Sequence, residues 1–238
     1  MAHREPLTAV EQAQLLREIS HELRTPLGAA MIWIRIYREG REEAQKTRAI
    51  SMFEDSLSEL LQLAQDLSDC SALMESRLAL ERSPLSLNRL IADLARGLAP
   101  RAEGRGIRLE IASGAEELSL DADRERLGRA LESILRFAVA VHTPDSSLTI
   151  GLAAEDGGAV LRVPLKAANL AALKPLREHL REGASKLGPS GLTLPIAVEL
   201  IQLHGGTVEG ASGANGEQVR VRIPIRSDAA DATPDGRG

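Results

Sequence analysis

The chain has 238 residues, 43% hydrophobic and 26% charged, the proportions of an ordinary folded protein with one or two cores. Its net charge of −5 and pI of about 5.7 exclude a nucleic-acid binder, which needs a concentrated basic surface, and no apolar run approaches the ~20 residues that span a bilayer. Cys70, the single cysteine, makes neither an internal disulfide nor a zinc cluster, so a cytoplasmic setting is expected. Aromatics amount to only 2%, namely Trp33, Tyr37, Phe53 and Phe137. A core of Leu, Ile, Val and Ala suits long packed helices.

From Leu16 an apolar stripe runs through Ile19, Leu23, Pro26, Ala30, Trp33 and Tyr37, widened by Leu27 and Ile34, until Gly40 interrupts it. A second stripe takes Ile50, Phe53, Leu57, Leu60, Ala64, Leu67, Ser71 and Met74. Steps alternating three and four are the seam of a helical bundle. The two helices form an antiparallel hairpin over residues 8–78, and two hairpins complete a four-helix bundle as a homodimer.

ERSPLS (81–86) reads as a linker, because Pro84 disfavours helix at the residue before it. Ser86 can cap a helix from Leu87 to Leu98, stopped by Pro100. IRLEIA (107–112) and ELSL (117–120) read as strands, and Asp121 or Asp123 opens a helix reaching Val141. SSLTIGLAAE (146–155) and AVLRVPL (159–165) form a hairpin through Asp156, Gly157 and Gly158. Helices are expected near 170–182 and 191–204, then a closing hairpin of GTVEGAS and EQVRVRIPI. The fold class is α+β: the helical hairpin, then a two-layer α/β sandwich of antiparallel strands over 85–226. The tail, 227–238, is expected to be disordered.

The chemistry concentrates in Ile19-Ser20-His21-Glu22-Leu23-Arg24-Thr25-Pro26-Leu27. At about 100° per residue His21 points away from the apolar seam, with Thr25 one turn further on the same face. Glu22 can reach the imidazole. A hydrogen bond at Nδ1 leaves the Nε2 lone pair free to act as a nucleophile. Pro26 should bend the helix beyond it. By spacing alone, an exposed helical histidine is a solvated surface residue.

SHELRTPL closely resembles the phosphoacceptor box of sensor histidine kinases. The stretch to Met74 is similar to their dimerisation and phosphotransfer hairpin, and Leu85 to Ile225 follows the order of their ATP-binding domain, down to Leu203-His204-Gly205-Gly206. The resemblance implies that His21 carries a phosphoryl group, that Glu22 orients the ring and takes its proton, and that Thr25 positions water for dephosphorylation. The implied partner is a response-regulator receiver domain, with an upstream hybrid kinase as a candidate donor.

The same resemblance implies an ATP site, and there the residues depart from the pattern. Phe137 stands where an asparagine should hold magnesium, a cation that demands oxygen ligands. No aspartate follows AVLRVPL to read adenine. Gly188 and Gly191 match two phosphate-loop glycines, but Thr193 stands where another belongs. The expected cofactor is therefore none, with ATP and Mg²⁺ binding lost and no metal site. Cys70 reads as helix packing, His204 as a helix C-terminus, and His3, His142 and His179 show no metal spacing.

Three functions follow. The chain is a dimeric histidine phosphotransferase working through His21; or an autophosphorylating kinase with an atypical nucleotide site; or a pseudokinase scaffold.

Overall fold

The computed structural model describes residues 9–74, 78–114, 116–165, 193–213 and 216–225. The expected helix near 170–182, Gly188, Gly191 and the tail 227–238 lie outside them. Two compact units share the chain, one built on an N-terminal helical hairpin up to Ala79, the other beginning at Leu80.

In the first unit, α1 (Ala9–Glu39) and α2 (Glu43–Met74) are joined by a short turn at Gly40. Gly40 donates to the Ile36 carbonyl at 2.8 Å, and a Cβ there would lie 2.9 Å from the same oxygen. That close approach explains why the first stripe stops at a glycine. Within one hairpin the buried line keeps Pro26 and Ala30 of the first stripe, but on α2 it falls beside the expected row. Ala30, Ala49, Ser56 and Leu63 are buried, whereas the stripe residues Tyr37, Leu57, Ala64 and Ser71 are exposed. On α2 the buried residues 49, 56 and 63 recur every seven, one place ahead of the Ile50–Leu57–Ala64–Ser71 row. Small side chains bring two helices close, so the larger ones are displaced to the flanks. Leu27, Met31, Ile32, Leu57 and Leu61 consequently present apolar surface.

The second unit opens with β1 (Ser83–Ser86), where a linker was expected, so it takes in residues ahead of the boundary placed at 85. β1 pairs antiparallel with β3 (Ser119–Ala122), setting buried Leu85 opposite buried Leu120. Pro84 is tolerated because a two-stranded ribbon has a free edge that needs no N–H. α3 (Leu87–Glu103) starts at Ser86, whose hydroxyl accepts from the Arg89 N–H at 3.2 Å. It runs past Pro100 rather than ending at Leu98, since Ala95, Leu98 and Ala102 continue one buried face.

β2 (Arg108–Ser113), β4 (Ser147–Glu155), β5 (Gly158–Leu165), β6 (Thr207–Gly213) and β7 (Gly216–Pro224) form one sheet in the order β2-β4-β5-β7-β6. The β2–β4 pair is parallel, which corrects the all-antiparallel expectation. The intervening α4 (Arg124–Val141) supplies the crossover that parallel strands need. Between β4 and β5, Asp156 (φ 46°) and Gly157 (φ 73°) make a two-residue turn with both central residues in the left-handed region. An Asp-Gly pair is suited to that geometry.

One face of the sheet is the core. Leu161 lies opposite Val221 and Val163 opposite Val219, all buried. Leu90 and Ile91 of α3 and Leu127, Leu131, Ile134 and Leu135 of α4 are also buried. α5 (Thr193–Leu203) contributes Ala197, Val198, Leu200 and Ile201 to the buried set. No cis peptide bond occurs among the described residues.

Candidate functional site

The structure carries His21 mid-way along α1, exposed, with Thr25 exposed one turn on and Glu22 half-buried between them. This is the arrangement expected from a 3.6-residue period. The Thr25 hydroxyl donates to the His21 backbone carbonyl at 3.4 Å. Pro26 is buried and lies inside α1, which continues through it to Glu39. Arg17 and Arg24, one turn to either side of His21, are both exposed. Two guanidinium groups flanking an exposed imidazole favour the approach of an anion. Gly28, two turns from His21, is exposed, and a Cβ added there would meet nothing within 4 Å. His21, Arg24, Thr25 and Gly28 thus share an exposed stretch of α1.

Phe137 lies on α4, half-buried. One turn away on the same helix stand Ser133, Ile134, Ala140 and Val141, and the Ser133 hydroxyl donates to the Arg129 carbonyl at 2.9 Å. Magnesium prefers an octahedron of oxygens, and this stretch of α4 offers hydrocarbon instead. Glu132, the nearest carboxylate on the helix, is paired with Arg136 at 3.5 Å. Among the described residues no group of three His, Cys, Asp or Glu could hold a metal ion. At position 137 itself, α4 offers an aromatic ring and no oxygen.

The end of α5 holds an arrangement that spacing did not reveal. Gly205 (φ 78°) donates to Gln202 at 2.8 Å and Gly206 donates to Ile201 at 2.9 Å, the paired bonds that close a helix on a glycine. This bears out the reading of His204 as a helix C-terminus, but the side chain does more. It is buried, with Nδ1 2.7 Å from the Leu200 carbonyl and Nε2 3.1 Å from the Asp123 N–H. Asp123 caps α4, accepting from the Arg126 N–H at 3.0 Å and from the Arg126 guanidinium at 2.7 Å. Burial pushes the Asp123 carboxyl upward. The Arg126 backbone and side chain, the Glu81 N–H and the Arg126 charge outweigh it, and hold the group below the ordinary carboxylate value. The Asp-x-x-Arg spacing was the available signal for the cap. Nothing in the sequence pairs it with a histidine 81 residues away.

Comparison with known proteins agrees with the box and the fold. Residues 11–75 match the family model described as the His Kinase A (phospho-acceptor) domain. The chain is 27% identical over 227 residues to the histidine protein kinase DivJ of Caulobacter vibrioides, covering 91% of this chain and 38% of that protein. It is 26% identical over 221 residues to the signal transduction histidine-protein kinase BaeS of Escherichia coli, covering 90% and 47%. The chain therefore spans between about a quarter and just over half of these and the other curated relatives it matches. Among solved structures it is similar to the histidine kinase AdeS of Acinetobacter baumannii, with a TM-score of 0.59 at 16% identity, over 87% of this chain and 98% of that one. Full-length ShkA, solved in complex with AMPPNP, gives a TM-score of 0.59 at 22% identity, over 92% and 47%. These likenesses concern the fold. No described helix is long and apolar enough to cross a membrane.

Proposed function

The chain belongs to the sensor histidine kinase family, and from that premise we propose that it is a phosphotransferase working through His21. It passes a phosphoryl group to or from the aspartate of a response-regulator receiver domain, and it has given up nucleotide binding. What supports this reading is one contrast: α1 carries His21 and Thr25 exposed with Glu22 half-buried between them, while α4 carries Phe137 where the cofactor would need an oxygen ligand.

The chemistry is an in-line displacement. The Nε2 lone pair of His21 attacks phosphorus, the nitrogen–phosphorus bond forms, and the aspartate carboxylate leaves with the electrons of the broken oxygen–phosphorus bond. Little covalent work falls to the protein, so positioning and charge provide the rate. Glu22 orients the ring and takes its Nδ1 proton. Arg17 and Arg24 draw the anionic partner, and Thr25 positions water when the phosphoryl group is hydrolysed. The exposed apolar residues Leu27, Met31, Ile32, Leu57 and Leu61 are covered by a second hairpin, giving the homodimeric bundle that the family implies.

A second reading, an ATP-dependent autophosphorylating kinase, is favoured by the names of the relatives, which cover about nine-tenths of this chain. One assay separates the two. The full chain is incubated with radiolabelled Mg-ATP, and separately with a radiolabelled phosphorylated receiver. Base-stable, acid-labile label from the receiver alone, absent in His21→Ala, is the expected result. Label from ATP that depends on His21 would establish the kinase instead, and label from neither source would leave a scaffold.

A further inference from the structure

We propose that His204, Asp123 and Arg82 form a proton-sensitive latch that holds the chain, where it enters the second unit, against the first turn of α4 and the end of α5. The unit begins at Leu80, and its first residues are gripped at once. The Glu81 N–H donates to Asp123 Oδ2 at 3.1 Å. The Arg82 guanidinium donates to the carbonyls of Asp121 at 3.2 Å and Leu203 at 2.9 Å. The first residues of the unit are thereby tied to β3, α4 and α5 by three hydrogen bonds, and His204 joins the group through the Asp123 N–H.

The histidine's protonation state follows from its partners. A backbone N–H only donates, so Nε2, facing the Asp123 N–H at 3.1 Å, must be the acceptor. A carbonyl only accepts, so Nδ1, 2.7 Å from Leu200, must carry the proton. The ring is neutral, with both nitrogens committed. A second proton at Nε2 would replace the acceptor with a donor aimed at a donor. The Asp123 N–H would be left without a partner in a site where His204 is 4% exposed and Asp123 also 4% exposed, and a buried orphan amide is costly.

The surrounding charges oppose one another. Arg82 repels a charged ring and the Asp123 carboxylate attracts it, while that carboxylate is already held by Arg126 and the Glu81 N–H. Glu81 and Asp121 contribute through their backbone. Burial lowers the His204 pKa, the Leu200 bond raises it, Arg82 lowers it and Asp123 raises it, and the balance falls below the ordinary 6.5. A lowered histidine binds protons better once released than when held. The latch is therefore closed above about pH 6.5 and loses stability as the pH falls below it.

Hydrogen exchange of the full chain, corrected for intrinsic rates, tests this at pH 7.5, 6.5 and 5.5. Peptides covering 80–86 and 123–127 should lose protection severalfold, up to about tenfold, across that range, while the β4–β5 hairpin keeps its own. His204→Gln, which still offers an acceptor and a donor but does not titrate, should abolish the difference. Flat protection in the unaltered chain, parallel loss at β4–β5, or an unchanged pH response in H204Q would overturn the latch. Should H204Q fail to fold, nitrogen NMR of the unaltered protein decides. The Nδ1–H tautomer, with a titration midpoint matching the loss of Asp123 protection, upholds the proposal. The Nε2–H tautomer or an unrelated midpoint refutes it.

Discussion

The hairpin and the sheet unit spend their apolar residues in opposite ways. In the sheet unit the large ones go inside: Leu131, Leu135, Leu148 and Ile150 are each fully buried. In the hairpin few apolar side chains go inside, Ala30, Ala49 and Leu63 among them, while Met31 and Ile32 remain about 60% exposed. A unit that completes its own core is stable by itself. A unit that leaves apolar surface beside its reactive face is built to be finished by another chain. The proposed phosphotransfer residues lie in the second kind.

Substitutions can break or sharpen that contrast. Leu131→Ala removes a fully buried side chain from α4, and the sheet unit should lose about 2–5 kcal/mol in urea unfolding. Transfer to His21 at native concentrations of denaturant should persist, because the hairpin does not contain that core. Met31→Asp places a charge on the exposed hairpin surface, where Met31 is 64% exposed. Helix content should hold, while the dimer constant measured by sedimentation weakens at least tenfold, about 1.4 kcal/mol. Gly28→Ala adds a methyl group where nothing lies within 4 Å. It should raise hairpin stability by about 0.5–1 kcal/mol, read as a higher melting midpoint.

The parts of the molecule that depend on neighbouring residues were legible in the sequence. The helical periods, the Asp156-Gly157 turn, the Ser86 cap and the exposed His21–Thr25 face each follow from residues within a turn of one another. What failed depends on distant partners. Pro84 spoke against structure at 83–86, and only the pairing of Leu85 with Leu120 makes a strand there. On α2 the line buried within one hairpin, Ala49, Ser56 and Leu63, runs one residue ahead of the large apolar row, because counting large apolar residues does not separate the contact inside a hairpin from surface that a second hairpin would cover. β2 was expected in an antiparallel sheet until its parallel partner appeared across α4. In the site, His21, Glu22 and Thr25 were readable from the box, whereas the bond from Asp123 to His204 spans 81 residues and leaves no local trace.

On the proposed reading one unit keeps the phosphotransfer chemistry while the other has lost its nucleotide. Calorimetric titration of the full chain with Mg-ATP tests it most directly, since Phe137 supplies no oxygen to a metal. No saturable heat at millimolar nucleotide is the predicted result, and saturable binding in the micromolar range would contradict it.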